Sequence, residues 1–226
     1  WDTSVVTHVT IIGGGPGGYE AALVASRLGA AVTLIERDGV GGSTVLTDCV
    51  PSKTLIATSD LLTEVGTAAE LGVEVPRAVR ADLAAVDARV LSLAKAQSDD
   101  IAARLISSGI TVIDGIATIT GPGAVTAVSE GETQQIETDA ILLATGAHPR
   151  TSADAVPDGE RILTWEQVYA LKDLPEHMIV VGSGVTGAEF ASAYNGLGAT
   201  VTLVSSRDRV LPGEDADAAT VIEDVF

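Results

Sequence analysis

The chain has 226 residues, and acidic side chains outnumber basic ones 31 to 13, a formal charge of −18 that argues against nucleic-acid and membrane-surface partners. Hydrophobic residues reach 46 % and aromatic ones only 3 %, so a real core is possible and must be built from Ala, Val, Leu and Ile. One cysteine, Cys49, excludes an internal disulfide and an all-cysteine metal site, and fits a reducing compartment.

In chain order, Val9–Ile12 reads as a strand, followed by the turn Gly13-Gly-Gly-Pro16-Gly-Gly18 and an amphipathic helix that stops at Leu28-Gly29. A second strand, Ala31–Ile35, ends on Glu36. After a glycine-rich link, Pro51 to about Leu71 reads as a helix with proline in its first turn. A longer helix is expected from about Asp82 to Ser108, with Leu83, Val86, Val90, Leu93, Ile101 and Leu105 on one face. Ile110–Thr120 reads as a single strand, and Ala124–Ser129 with Thr133–Thr138 as a hairpin-like meander. Ala140–Ala144 is a short apolar run stopped by Thr145-Gly146, the pattern of a buried strand. The stretch 147–159, rich in Pro, Asp, Ser and Ala, is the expected boundary between domains 1–150 and 151–226.

An internal repeat organises all of this. At a constant offset of 169 residues, Gly13, Gly15, Gly18 and Glu20 map onto Gly182, Gly184, Gly187 and Glu189, and Leu28-Gly-Ala30 maps onto Leu197-Gly-Ala199. Each copy reads strand, glycine turn, helix, glycine, strand: a βαβ unit, which implies a parallel sheet. The fold class expected is α/β, with two Rossmann-like dinucleotide-binding domains, the second incomplete because Ile179–Phe226 has room for little more than strand, helix and strand. The chain, which starts at Trp1 rather than Met, is expected to be the front half of a larger protein.

Both copies carry G-x-G-x-x-G between a β-branched strand and a helix. The first glycine permits the turn, the second lets backbone approach a pyrophosphate, and the third lets helix and strand pack, with the helix N-terminus facing the anion. A glycine-rich turn used only for packing is the plain alternative, weakened by the duplication. The copies differ 18 residues after the third glycine: Glu36 stands where an acid binds ribose hydroxyls, whereas Ser205 stands in the second copy, with Arg207 and Arg209 close behind. The second site therefore lacks the acid that repels a 2′-phosphate and has cations near it; a solvated loop is the other reading of those arginines.

Gly41-Gly-Ser-Thr-Val-Leu-Thr-Asp-Cys-Val-Pro-Ser-Lys53 resembles the redox-active motif G-G-T-C-x-N-x-G-C-x-P-S/K-K of the pyridine nucleotide–disulfide oxidoreductases, with Thr44 in place of the first cysteine and Cys49 matching the second. Ala144-Thr-Gly-Ala-His-Pro-Arg150 resembles that family's A-T-G-x-x-P-R segment. Four motifs thus fall in the family's order over nearly the whole chain. Within the family, the segments starting at Val45, Pro157, Val180 and Val210 resemble a cysteine-deficient actinobacterial branch of NAD(P)H–quinone dehydrogenases.

The resemblance implies FAD held by Gly13, Gly15, Pro16, Gly18, Glu36, Gly42, Ser43, Lys53, Gly115, Ala117, Thr145 and Gly146. It implies NADPH or NADH held by Gly182, Gly184, Val185, Thr186, Gly187, Glu189, Ser205 and Arg207, and no metal. Cys49, Lys53 and Glu189 are the catalytic candidates, with Lys53 and Glu189 paired beside the flavin. Loss of one thiol argues against dithiol–disulfide exchange and for a quinone-like acceptor, dihydrolipoamide dehydrogenase-like disulfide reduction and a non-catalytic nucleotide-binding fragment being the alternatives. The family's His–Glu pair and dimerisation domain belong further toward the C-terminus, so a homodimer is implied for the full-length protein.

Taken singly, Cys49 near a helix N-terminus could carry an activated thiol or be an inert small residue. Lys53 could be an ordinary solvated lysine. Glu189, and Glu20 in the first copy, could be acids favoured near a helix N-terminus. His8, His148 and His177 receive no catalytic or metal role. No apolar run approaches the roughly 18 residues of a membrane span, and Trp1–Ser4 lacks a basic signal segment, so a cytoplasmic protein is expected.

Overall fold

The computed structural model describes residues 6–76 and 79–226; the Trp1–Ser4 segment lies outside the described residues. The chain forms two compact units, one of residues 1–50 and 92–150 and the other of residues 51–91 and 151–226. The expected boundary at 150/151 is one place where the chain passes between units; the others fall within long helices.

The first unit opens with β1 (His8–Ile12), α1 (Pro16–Arg27) and β2 (Ala31–Glu36), a crossover that makes β1 and β2 parallel neighbours, Ile11 opposite Leu34. A short helix, α2 (Gly42–Leu46), follows, and α3 (Cys49–Thr67) begins at the last two residues of this unit. The helix α4 (Leu83–Ser107) ends in this unit. The segment expected to be one strand is two: β3 (Thr111–Asp114) joins the parallel sheet, and β4 (Ile116–Gly121) starts a separate antiparallel sheet with β5 (Ala124–Ser129) and β6 (Glu132–Glu137). Gly115 is the break, its N–H donating to the Glu36 carbonyl at 2.7 Å. A Cβ there would overlap the Val128 carbonyl, so the chain can cross between sheets only at a glycine.

The last strand of this unit, β7 (Ala140–Leu143), completes a sheet of order β3-β2-β1-β7. It lies at the edge, and Leu143 is 62 % exposed, so the expectation of a buried strand is corrected: an edge strand has a neighbour on one side only. Ile11, Ala22, Leu34, Val40 and Leu105 form the core under the sheet.

The second unit repeats the plan with β8 (His177–Val181), α5 (Val185–Leu197) and β9 (Thr200–Val204), Met178 opposite Val201 in parallel register. Its backbone copies the first: Gly182 N–H donates to Val204 O as Gly13 does to Ile35 O, and Ala199 N–H closes on Tyr194 O as Ala30 does on Ala25 O. Gly29 and Gly198 take positive φ (91° and 108°) after each helix, a conformation that favours glycine. The final helix, α6 (Ala216–Val225), is capped by Asp215, which accepts from the Asp217 and Ala218 N–H groups.

The core of the second unit gathers Leu55 of α3, Leu83 and Val90 of α4, Val168 and Tyr169 of a short 3-10 turn, and Phe190, Tyr194 and Leu197 of α5. On α4 the buried stripe differs from the one read from hydrophobicity. Leu93 is 42 % exposed, while Asp87 is 4 % and Ala94 is 1 % exposed. The stripe follows positions 83, 87, 90 and 94, and small or polar residues occupy two of those four places. Asp87 is buried with no hydrogen bond to either carboxylate oxygen, and desolvation pushes its pKa from 3.8 up to about 7. The Pro157–Leu163 motif is a turn knotted by Asp158, whose Oδ1 accepts from the N–H groups of Glu160, Arg161 and Ile162. Those three donors hold its carboxyl down to about 2.

Candidate functional site

The three glycines of each fingerprint have three separable physical roles. The first is a backbone requirement: Gly13 and Gly182 have φ of 104° and 116°, which L side chains rarely adopt. The third is a packing requirement, because a Cβ on Gly18 or Gly187 would overlap the carbonyl oxygen of the first glycine. The middle one is neither. Gly15 and Gly184 have ordinary φ of −67° and −72°. A Cβ on Gly15 would come no nearer than 4.0 Å to Gly42 Cα, and one on Gly184 would meet nothing within 4 Å. Nothing in the protein forbids a side chain at these two positions, so the space they leave is space in front of a helix. Gly15 and Gly184 are also N-caps without a side-chain acceptor, which leaves those helix starts to a ligand. Pro16 and Val185 with Thr186 are the first helical residues behind them. The residues present fit a pyrophosphate at each turn.

In the first unit, the strand ends of β1, β2, β3 and β7 bring their following residues to one edge of the sheet, where ligands of open α/β sheets bind. Glu36 is fixed there: Oε2 accepts from Gly14 N–H at 2.5 Å, and Oε1 from the Arg37 and Asp38 N–H groups at 2.8 and 2.7 Å. A carboxylate has roughly four acceptor positions, so three fixed donors leave room for a ribose hydroxyl without freeing the group to swing. Gly42 (φ 58°) lies against Gly15, where an added Cβ would sit 2.8 Å from Gly15 Cα; Ser43 follows it in α2. Thr145 and Gly146 follow β7, and a Cβ on Gly13 would stand 3.1 Å from Thr145 Cα. Gly115 is tied to the end of β2 by its N–H, and Ala117 lies opposite Ala127 in the antiparallel sheet. Sequence reasoning gives His148 no part, yet its Nε2 meets Arg37 Nη2 at 3.2 Å, linking the loop after β7 to the residue beside Glu36.

Cys49 is exposed and is the first residue of α3; Thr44 lies in α2. In the second unit, Lys53 Nζ meets Glu189 Oε1 at 2.5 Å, and Ser52 donates its hydroxyl to Glu189 Oε2 at 3.1 Å. The lysine side chain is 56 % exposed and the glutamate 22 %, so the pair stands at a surface. Glu189 is the fifth residue of α5, not a first-turn residue, and Glu20 is likewise fifth in α1. The helix-dipole reading of both is therefore corrected; Glu189 is held by α3. Close approach of α3 and α5 makes that contact possible. One heptad further along each helix, a Cβ on Gly196 would strike Ser59 Oγ, so a larger residue there would have to displace that hydroxyl.

The acid position of the second copy is also built differently. Ser205 Oγ pairs with Ser183 Oγ at 2.7 Å and accepts from Arg207 N–H at 2.9 Å. Sequence reasoning gives Ser183 no role either, although the repeat marks it: position 14 is glycine and position 183 serine, changing together with Glu36 and Ser205. Arg207 is exposed, whereas Arg209 donates from Nη2 to the Glu214 carbonyl at 2.9 Å.

The sequence matches the pyridine nucleotide-disulphide oxidoreductase family over residues 7–226. The chain belongs to that family. It is 51 % identical over 233 residues to a NAD(P)H dehydrogenase (quinone) of Mycobacterium tuberculosis, covering 98 % of this chain and 47 % of that protein. A dihydrolipoyl dehydrogenase of Chlorobaculum parvum is 37 % identical, over 99 % of this chain and 48 % of its own length. The crystal structure of LpdA from M. tuberculosis superposes with a TM-score of 0.90 at 52 % identity, covering 98 % of this chain and 49 % of that one. The chain thus spans about half the length of the curated relatives it matches. The family membership agrees with the duplicated α/β fold.

Proposed function

We propose that this chain is the nucleotide-binding part of an FAD-dependent oxidoreductase that passes electrons from NAD(P)H to a quinone-like small molecule, without a redox-active disulfide. The observation that carries the reading is the pair of turns whose middle glycines answer to no constraint within the protein. Segment 1–150 serves FAD through Glu36 and the first turn, and segment 151–226 serves NAD(P)H through the second. Bound flavin supplies the hydride-accepting and electron-donating chemistry. The chain's own residues seat and hold. Glu36 takes a ribose hydroxyl on a carboxylate already pinned by three N–H groups, so little ordering is lost on binding. Lys53, anchored on Glu189 and with its stem over half exposed, offers a fixed cation at the edge of α3. Cys49 lacks a second thiol with which to form and release a mixed disulfide, because Thr44 stands at the partner position. The quinone named for the mycobacterial relative is consistent with that loss.

In the full-length protein, taken to be a cytoplasmic homodimer, the test supplies NADPH with a quinone, lipoamide or glutathione disulfide as acceptor. Quinone turnover with neither disulfide reduced is expected. Disulfide reduction at a comparable rate returns the protein to the dihydrolipoyl dehydrogenase type, and a colourless protein that retains no flavin makes it a binding fragment. Among the described residues no helix is long and apolar enough to cross a membrane.

A further inference from the structure

In the first unit β1 lies between β2 and β7, so the glycine turn that follows β1 stands between the loops that follow those two neighbours. The loop after β2 leads off Glu36, and the loop after β7 starts at Ala144. A contact between these loops has to pass across the end of β1. The loop after β7 already leans that way: a Cβ on Gly13 would overlap the Ala144 carbonyl and stand 3.1 Å from Thr145 Cα.

Arg37 and His148 make the crossing, with Arg37 Nη2 at 3.2 Å from His148 Nε2. A guanidinium only donates, so the contact requires the histidine tautomer whose Nε2 accepts. The arm is fixed at its base. Arg37 Nε donates to Asp38 Oδ2 at 2.9 Å, and the N–H groups of Arg37 and Asp38 both donate to Glu36 Oε1. At the far end Pro149 restricts the backbone of His148 to extended conformations. The Arg37 side chain is 52 % exposed and His148 is exposed, so the span is open to solvent and no core packing depends on it. Glu36 is thus both the acceptor that faces the turn and the anchor of the residue that bridges it.

We propose that Arg37 and His148 form a strap across the first glycine turn, closed with and without nucleotide, that opens to let the adenosine end of FAD enter or leave. The strap sets rates and not affinity. Breaking a contact that is present in both the free and the bound state lowers the barrier in both directions and leaves the equilibrium nearly where it was. A side chain that grips the ligand instead changes release far more than uptake. The inference rests on the reading that the first turn binds FAD.

Flavin fluorescence follows FAD uptake by the full-length apoprotein and FAD release from the holoprotein, so no turnover is needed. His148→Ala and Arg37→Ala are each expected to speed both uptake and release about threefold to tenfold, with Kd held within about twofold. The double variant is expected to be no faster than either single one, since all three lack the same contact. His148→Gln, whose amide oxygen can accept from Arg37, is expected to bring both rates back toward wild type. Faster uptake is a gain that loss of fold does not produce.

Unchanged rates in both alanine variants, faster release with unchanged uptake, or additive acceleration in the double variant overturns the strap and leaves the FAD reading in place. An apoprotein that takes up no FAD overturns that reading and the strap with it.

Discussion

Replacing Asp87 should make the second unit more stable, increasingly so as pH rises. The residue is 4 % exposed, neither carboxylate oxygen has a hydrogen bond, and it lies on α4 between Leu83 and Val90, both members of the core. Tyr194 is the titratable neighbour, its own pKa raised by burial and by the Asp87 charge. An acid raised from 3.8 to about 7 keeps its proton in the folded state while the unfolded chain gives it up. Stability on this account is therefore highest below pH 3.8, falls as pH rises toward 7, and levels off above 7. At about 1.36 kcal/mol per pH unit, the ceiling on the cost above pH 7 is about 4 kcal/mol. Water entry and local relaxation reduce it, so about 1–3 kcal/mol is expected from Asp87→Asn, and more from Asp87→Leu if the side chain packs.

The assay is urea unfolding of wild type and both variants at pH 5.5 and pH 8. Trp165, packed against this core, reports the transition, and a Trp1→Phe background throughout the series removes the other indole. The gain from Asp87→Asn should be about 1–2 kcal/mol larger at pH 8 than at pH 5.5. A gain that is equal at both pH values, or a loss at both, refutes the assignment of a costly buried charge at Asp87.

The three roles of the glycines separate by mutation: Gly184→Ala should keep the thermal midpoint within about 2 °C yet weaken nucleotide binding about tenfold, while Gly187→Ala should lose soluble folded protein. Calorimetric binding and a thermal melt on the same samples check both, and equal damage from the two substitutions would count against a ligand-reserved space at Gly184. Glu36→Ala should lower flavin retention at limiting FAD by about tenfold or more, because a pinned acceptor is removed; retention measured by absorbance after gel filtration decides it. Asp158 has its pKa depressed to about 2, so its contribution is present above the unfolded value of 3.8 and disappears as pH falls toward 2. Protease cutting of the 157–163 turn should therefore rise in Asp158→Ala at pH 7, and an unchanged cutting rate would show that the turn is held by something else.

The duplicated order of strand, glycine turn, helix and strand was legible in the sequence because each of its signals is local. Positive φ, a helix start and a strand period are decided within a few residues. The same locality made Glu36 and its counterpart Ser205 readable, since each lies a fixed distance past its turn. Tertiary structure decided what depends on neighbours distant in sequence. Ile110–Thr120 looks uniform in hydrophobicity, yet it divides at Gly115 because only there can the backbone pass the Val128 carbonyl and change sheets. Leu93 follows the apolar pattern of its helix but faces solvent, while Asp87 takes a buried place, because the cores around α4 select positions by direction and not by hydropathy. The repeat marked Ser183 only as a serine where the first copy has Gly14, with no partner attached. Folding β8 beside β9 brings its hydroxyl to 2.7 Å from that of Ser205, 22 positions along the chain.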